Sequence, residues 1–224
     1  LQNLLFLIFV IEMRVKWIVI AAVVLACTTM AHAEAPPVFL LSWGSPGTAD
    51  GQFNVPLGVT IDASNNVYVV DQQNFRIQKF TPLGQFLAKW GSRGSGDGMF
   101  MGAGSADVSG AGEIFVADAA SGRIEVFQTG GTFVRSWVTG PSNEYVAIDR
   151  AHDLLYVSFG SSILKYTTGG TFITSWVATP RNPAGGLALA VGPISGDVYV
   201  VVEGEAVVRR FTSGGVQVLQ WGQF

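Results

Sequence analysis

From about residue 40 onward the apolar residues come in short bursts separated by Gly, Asn, Asp and Ser. Val67-Tyr68-Val69-Val70 is apolar in succession, as in a strand whose two faces are both covered. Phe86-Leu87-Ala88-Lys89-Trp90 instead alternates: Phe86 and Trp90 fall on one face and Lys89 on the other, where water can reach it. Runs this short, rich in β-branched and aromatic residues and bounded by turn formers, predict many strands joined by tight turns. No window in this region sustains a 3.6-residue period, so little or no helix is expected.

The chain aligns on itself. Phe39-Leu40-Leu41-Ser42-Trp43 recurs as Phe86–Trp90, Phe133–Trp137 and Phe172–Trp176, with a weaker copy at Gln217–Trp221. The tryptophans at 43, 90, 137, 176 and 221 are spaced by 47, 47, 39 and 45 residues. A strand-only repeat of this length predicts a β-propeller blade, not a helical solenoid unit. The first period divides into Leu57–Asp62, Val67–Asp71, Arg76–Phe80 and Phe86–Trp90; the second into Gly104–Ser109, Ile114–Asp118, Arg123–Phe127 and Phe133–Trp137. Gly84, Gly131, Gly170 and Gly215 precede the outer strands, where a tight turn needs positive φ. The fold expected is therefore all-β, a β-propeller of four-stranded antiparallel blades at about 57–91, 104–138, 144–177 and 186–222.

The run Gly51-Gln52-Phe53-Asn54-Val55-Pro56-Leu57-Gly58-Val59-Thr60-Ile61-Asp62, then Asn66–Asp71, Asn74–Phe80, Gly84-Gln85-Phe86 and Trp90-Gly91-Ser92, resembles an NHL repeat. The second period matches well. The third has Phe159 and Ser162 where the Asp and Arg stand, and the fourth has Val202 and Val207. The resemblance covers roughly residues 38–224 and implies a propeller, usually of six blades, without implying one activity. Four sets of inner strands stand beside five outer strands, counting 39–43, so an excerpt of a six-bladed propeller is expected.

Ahead of the repeats, Met13 is the expected start, with residues 1–12 upstream of it. Arg14 and Lys16, the apolar stretch Trp17–Ala26 and Ala31-His32-Ala33 read as a signal peptide cleaved after Ala33, leaving residues 34–224 for the propeller. Export to the periplasm or outside is the expectation. Val24-Leu25-Ala26-Cys27 resembles a lipobox, so a lipoprotein anchored at Cys27 is the alternative; it is also the one membrane link foreseen. Cys27 is the only cysteine and lies in the leader, so neither disulfide nor thiol chemistry is expected in the mature part.

With 13 basic against 16 acidic residues and no Lys/Arg cluster, nucleic acid is not an expected partner. Histidine occurs twice: His32 leaves with the leader, and His152 lies in a turn, which provides neither a His-rich metal site nor a Ser–His–acid triad. The repeated pairs Asp71/Arg76 and Asp118/Arg123 end one strand and begin the next, and are expected to clip the intervening loop. Gly47–Phe53 and Gly94–Phe100 are turns, since no helix follows to make a phosphate cradle. No cofactor, metal or catalytic residue is expected. Loops on a rigid scaffold are where recognition sits, which singles out Gln73, Asn74 and Phe75, Arg93, and Arg181 with Asn182. Phe75 and Met101 have packing between blades as an equal alternative.

The function expected is a non-enzymatic module binding a protein, peptide or glycan through one face. The alternative is a calcium-dependent lactonase- or lyase-like propeller whose site is incomplete in this chain.

Overall fold

The computed structural model describes residues 39–140, 145–180 and 186–222. The leader, Cys27, Arg181 and Asn182 lie outside the described residues. Two compact units are distinguished, Leu1–Leu41 and Ser42–Phe224; the packing described below is that of the second.

Two short parallel strands, β1 (Ser45–Pro46) and β2 (Gln52–Phe53), shape the first long loop. Four blades follow, each a four-stranded antiparallel sheet in simple sequence order. Blade one is β3 (Pro56–Ile61), β4 (Val67–Asp71), β5 (Arg76–Phe80) and β6 (Phe86–Trp90). Blade two is β7 (Ala103–Val108), β8 (Glu113–Asp118), β9 (Arg123–Gln128) and β10 (Phe133–Val138). Blade three is β11 (Val146–Asp149), β12 (Leu154–Phe159), β13 (Ser162–Thr167) and β14 (Phe172–Val177). Blade four is β15 (Leu187–Val191), β16 (Val198–Val202), β17 (Val207–Phe211) and β18 (Gln217–Trp221). The architecture is a β-propeller of four-stranded blades.

The outer strand expected at 39–43 is corrected: residues 39–44 form no strand. A strand needs a ladder partner, and each of the four sheets already carries its own outer strand.

The turns follow from local chemistry. Asp62 accepts from the backbone N–H of Ser64 and Asn66, the Asn66 amide and the Tyr68 hydroxyl, which fixes the β3–β4 turn with Asn65 at φ 62°. Burial alone would raise the Asp62 carboxyl, but these donors outweigh it and hold it below the usual range.

The core is three clusters, one between each pair of consecutive blades. Between blades one and two, Tyr68, Val70 and Ile77 meet Phe100, Ile114, Val116 and Phe127, all but fully buried. The equivalent layers centre on Phe115, Ile124, Leu155 and Val157, and then on Tyr156, Ile163, Val198 and Val200. Innermost strands of neighbouring blades approach one another, β3 beside β7, β7 beside β11 and β11 beside β15.

Two devices recur at these joints. The first is a tryptophan on a glycine. A Cβ on Gly131, Gly170 or Gly215 would come within 2.7–3.0 Å of the Trp90, Trp137 or Trp176 ring, so each outer-strand indole lies flat on the next blade's turn. Trp43 fills the same seat on Gly84 of blade one, where a Cβ would lie 2.7 Å from its ring. The second device is a cation over an aromatic ring. Lys79 lies over Tyr68, Arg135 over Phe115 and Lys165 over Tyr156. Each then donates to a turn carbonyl of the following blade: Lys79 to Thr129, Arg135 to Thr168 and Lys165 to Ser213.

Candidate functional site

The β4–β5 hairpin, its equivalents and the crossovers between blades all leave from one end of the sheets, here the upper face. The first crossover, residues 44–55, is tied down by three side chains. Asp71 accepts from Asn54 N–H at 2.7 Å, Asn74 Nδ2 at 2.8 Å and Arg76 Nε at 2.8 Å. Arg76 in turn donates to the carbonyls of Thr48, Ala49 and Gln52. Gln78 closes the frame, accepting from Gly51 N–H and donating to Gln52 O and Asp71. Asp71 and Arg76 do meet, and what they hold is the long crossover more than the short hairpin between them.

Blade two departs from the expected pair. Arg123 pairs with Glu125 and donates to Gly96 O, while Asp118 accepts from Met101 N–H at 2.9 Å and Gly102 N–H at 2.7 Å. The reason is local: Glu125 occupies the place of Gln78, so a carboxylate stands two residues along the same strand face as Arg123. Glu125 also accepts from Gly98 N–H, the counterpart of the Gln78–Gly51 bond. Burial pushes the Glu125 carboxyl up, and Asp118 and Asp97 add to that; Gly98 N–H and Arg123 oppose it.

Blade four rebuilds the frame with other residues. Val202 and Val207 replace the Asp and Arg, but Arg209, in the Gln78 place, pairs with Glu205 and donates to Ala178 O and Gln220. Sequence reasoning missed Glu125 and Arg209. The signal was there: a polar residue at the third place of the third strand, Gln78, Glu125 and Arg209 in turn.

The candidate recognition residues fall into two kinds. Both amide hydrogens of Asn74 are engaged, with Asp71 and the Gly47 carbonyl, so its side chain serves the frame. Phe75, at φ 52°, is half-buried against the first joint, and the Arg93 guanidinium lies over its ring at 5.4 Å. Gln73 and Arg93 are exposed; the Gln73 backbone N–H donates to Asn54 O.

Among the described residues, two concavities lie beside the innermost strands. At the upper end a cavity of about 260 Å³ is lined by Leu57, Gln72, Gly104, Ala119 and Tyr145, contributed by blades one, two and the start of blade three. Further along, a groove of about 290 Å³ is walled by the innermost strands of all four blades. Inside it Asp107 accepts from Thr60 Oγ1 at 3.1 Å, Ile148 N–H at 2.9 Å and Arg150 Nη2 at 2.6 Å. Ser105 accepts from Val146 N–H at 2.9 Å. An innermost strand has one bare backbone edge facing the axis, and these two side chains satisfy that of β11. His152 Nδ1 lies 2.8 Å from Asp149, on the opposite, lower face. Among the described residues no group of three or more His, Cys, Asp or Glu side chains is placed to hold a metal ion.

Four blades in series, with hydrogen-bonded crossovers at one end of the sheets, define a β-propeller. The NHL repeat family model matches residues 53–80, from the end of the first crossover through β5. The fold is a β-propeller, and one of its repeats, residues 53–80, matches the NHL repeat.

A stretch of 46 residues is 46% identical to E3 ubiquitin-protein ligase TRIM71 of Bos taurus, covering 20% of this chain and 5% of that protein. Among solved structures, one titled as a nidogen/laminin complex superposes with a TM-score of 0.63 at 19% identity, over 75% of this chain and 64% of that one. A catalytically inactive virginiamycin B lyase from Staphylococcus aureus with quinupristin gives 0.62 at 14% identity, over 80% and 57%. The chain thus spans a twentieth of the ligase and less than two thirds of each structure, and at these identities the structures speak to the fold alone.

Proposed function

We propose that this chain is an exported, non-enzymatic binding module that takes a protein or peptide partner, or a glycan, on its upper face. The observation that carries the reading is the character of that face. The cavity at its centre is lined by two aliphatic residues, a glycine, one amide and one phenol, with no acid–base pair. Around the crossovers Val55, Leu57, Met99 and Met101 are exposed although they belong to a tightly hydrogen-bonded frame. Apolar side chains held rigidly in water are the usual anchors of a protein interface, because little ordering entropy is lost when they are covered. Arg93, propped on Phe75, adds a preorganised cation.

Other chains bearing this fold support the protein-binding choice: the nidogen/laminin structure is by its title a complex between proteins. Export rests on the leader-like segment ahead of Glu34.

The test is selection of displayed peptides, with a glycan array in parallel, on the full chain. Ligands obtained are then measured against Leu57→Asp and Met101→Glu. Loss of about tenfold or more in affinity in these variants is expected. Affinity unchanged in both, or stoichiometric calcium together with lactone turnover, overturns the reading. Mass spectrometry of the mature N-terminus is expected to find Glu34 first; a lipid adduct on Cys27 would instead make the protein a lipoprotein.

A further inference from the structure

Among the described residues, every Lys and Arg side chain except Arg93 has an oxygen partner. Most pair with a carboxylate, as Lys89 does with Asp50, while Lys79 and Lys165 donate to turn carbonyls. The Arg93 side chain is exposed and lies over the Phe75 ring, 5.4 Å from its centroid.

What holds Arg93 is particular to this place. Its backbone is pinned on both sides, since Phe100 N–H donates to Ser92 O at 2.9 Å and Gly94 N–H donates to Phe100 O at 3.1 Å. Its platform, Phe75, has φ 52°, a left-handed conformation that a bulky residue adopts only at a cost. The residue entering the third strand is Gly122 in blade two and Ala206 in blade four, both also at positive φ. The turn itself therefore does not require a ring. In the preceding crossover Pro46 stands in the place of Arg93, paired with Phe53 as Arg93 is with Phe100. The parts that build a blade recur along this chain, and the Arg93–Phe75 pair does not. Both residues belong to the joint between blades one and two, which the chain contains in full.

A guanidinium held by its face against a ring keeps its in-plane N–H donors, whose fork matches the two oxygens of a carboxylate. Its single positive charge balances one such group. A phosphomonoester carries about −1.5 to −2 and a nucleic acid one charge at every phosphate, and no second unpartnered cation stands among the described residues to meet them. An apolar contact lies alongside. Met99, 40% exposed, rests its sulfur against Gly94, where a Cβ would come within 2.5 Å of Sδ.

We propose that Arg93, propped on Phe75, selects the partner by taking the carboxylate of an Asp or Glu on a protein or peptide, with an apolar neighbour of that acid on Met99. This role rests on the upper face being the binding face.

Peptides selected by display on the full chain are expected to carry an Asp or Glu at a fixed place beside an apolar residue. Synthetic copies are then titrated calorimetrically into wild type, Arg93→Gln, Arg93→Lys and Phe75→Ala, each shown to be folded by circular dichroism and a cooperative melt. Arg93→Gln should lose about tenfold in affinity, with Arg93→Lys recovering only part of it. Phe75→Ala, which keeps the charge but removes its seat, should lose about threefold. Changing the peptide acid to its amide should cost as much as Arg93→Gln, and no more when both are changed together. Peptides weakened by Leu57→Asp or Met101→Glu but not by Arg93→Gln overturn this role and leave the upper face as the binding face. A library without binders, or binders indifferent to all of these variants, overturns both. A tenfold preference for phosphoserine over Glu in the same peptide, or binding confined to an acidic glycan, overturns the assignment of a protein carboxylate. Should Phe75→Ala fail to fold, the two Arg93 variants decide.

Discussion

Arg76 Nε lies 2.8 Å from a carboxylate oxygen of Asp71, and the side chains are only 8% and 0% exposed. A buried pair of this kind is costly to break on one side, because the surviving charge has lost its counterpart without regaining water.

Arg76→Ala should therefore lower unfolding stability by about 3–5 kcal/mol in a urea titration. The valines that stand at both places in blade four indicate that an uncharged version is compatible with the sheet. Asp71→Val combined with Arg76→Val should cost less than the sum of the single changes by about 1 kcal/mol or more. Additive costs would show that the two side chains act independently.

Much of the scaffold was legible in the sequence because the residues that make it recur in kind. Phe86, Phe133 and Phe172, with their tryptophans and turn glycines, are the same types at the same places, so self-alignment finds the blades. The frame beneath the crossovers is different. Gln78, Glu125 and Arg209 do one job with three side chains, and comparison by residue type hides that. Asp107 was hidden for another reason: it acts in one blade only, and its partners come from two other blades, so neither local spacing nor periodicity could collect them.

Gly131 has φ 90°, and a Cβ there would lie 2.7 Å from Trp90; its neighbour Gly130 has ordinary φ and nothing within 4 Å. Gly131→Ala is expected to cost about 1–3 kcal/mol. Gly130→Ala should lie within about 0.5 kcal/mol of wild type. Thermal melts of the two variants side by side check this, and equal melting points would contradict the flat Trp-on-glycine contact.

Asp107→Ala removes the acceptor shared by blades one and three and leaves the Ile148 N–H facing the axis without its partner. The expected loss is about 1–3 kcal/mol, with Asp107→Asn recovering part of it. Hydrogen exchange at Ile148 should accelerate in the alanine variant more than at Tyr68, which lies outside the groove.

Tyr156 is buried, its hydroxyl has no hydrogen-bond partner, and burial, reinforced by Asp149 and Asp197, pushes its pKa up to about 12. A phenol raised in the folded state keeps its contribution below the unfolded value of about 10 and loses it as pH climbs toward the folded value. Stability should accordingly fall between about pH 10 and 12. Tyr156→Phe should be neutral or stabilising by about 1 kcal/mol at neutral pH and should soften the alkaline decline. A Phe variant clearly weaker than wild type at pH 7 would show that the hydroxyl has a partner.

The flat indole-on-glycine contact has a mechanical corollary. A stack in which every member grips only its two neighbours loosens from an ungripped end, as a zipper does, and not from its middle. Among the described residues Trp43 grips blade one from outside, and each later joint is gripped by the tryptophan of the blade before it. Release of Trp43 would therefore loosen blade one first, while the joints at Trp90, Trp137 and Trp176 stay closed.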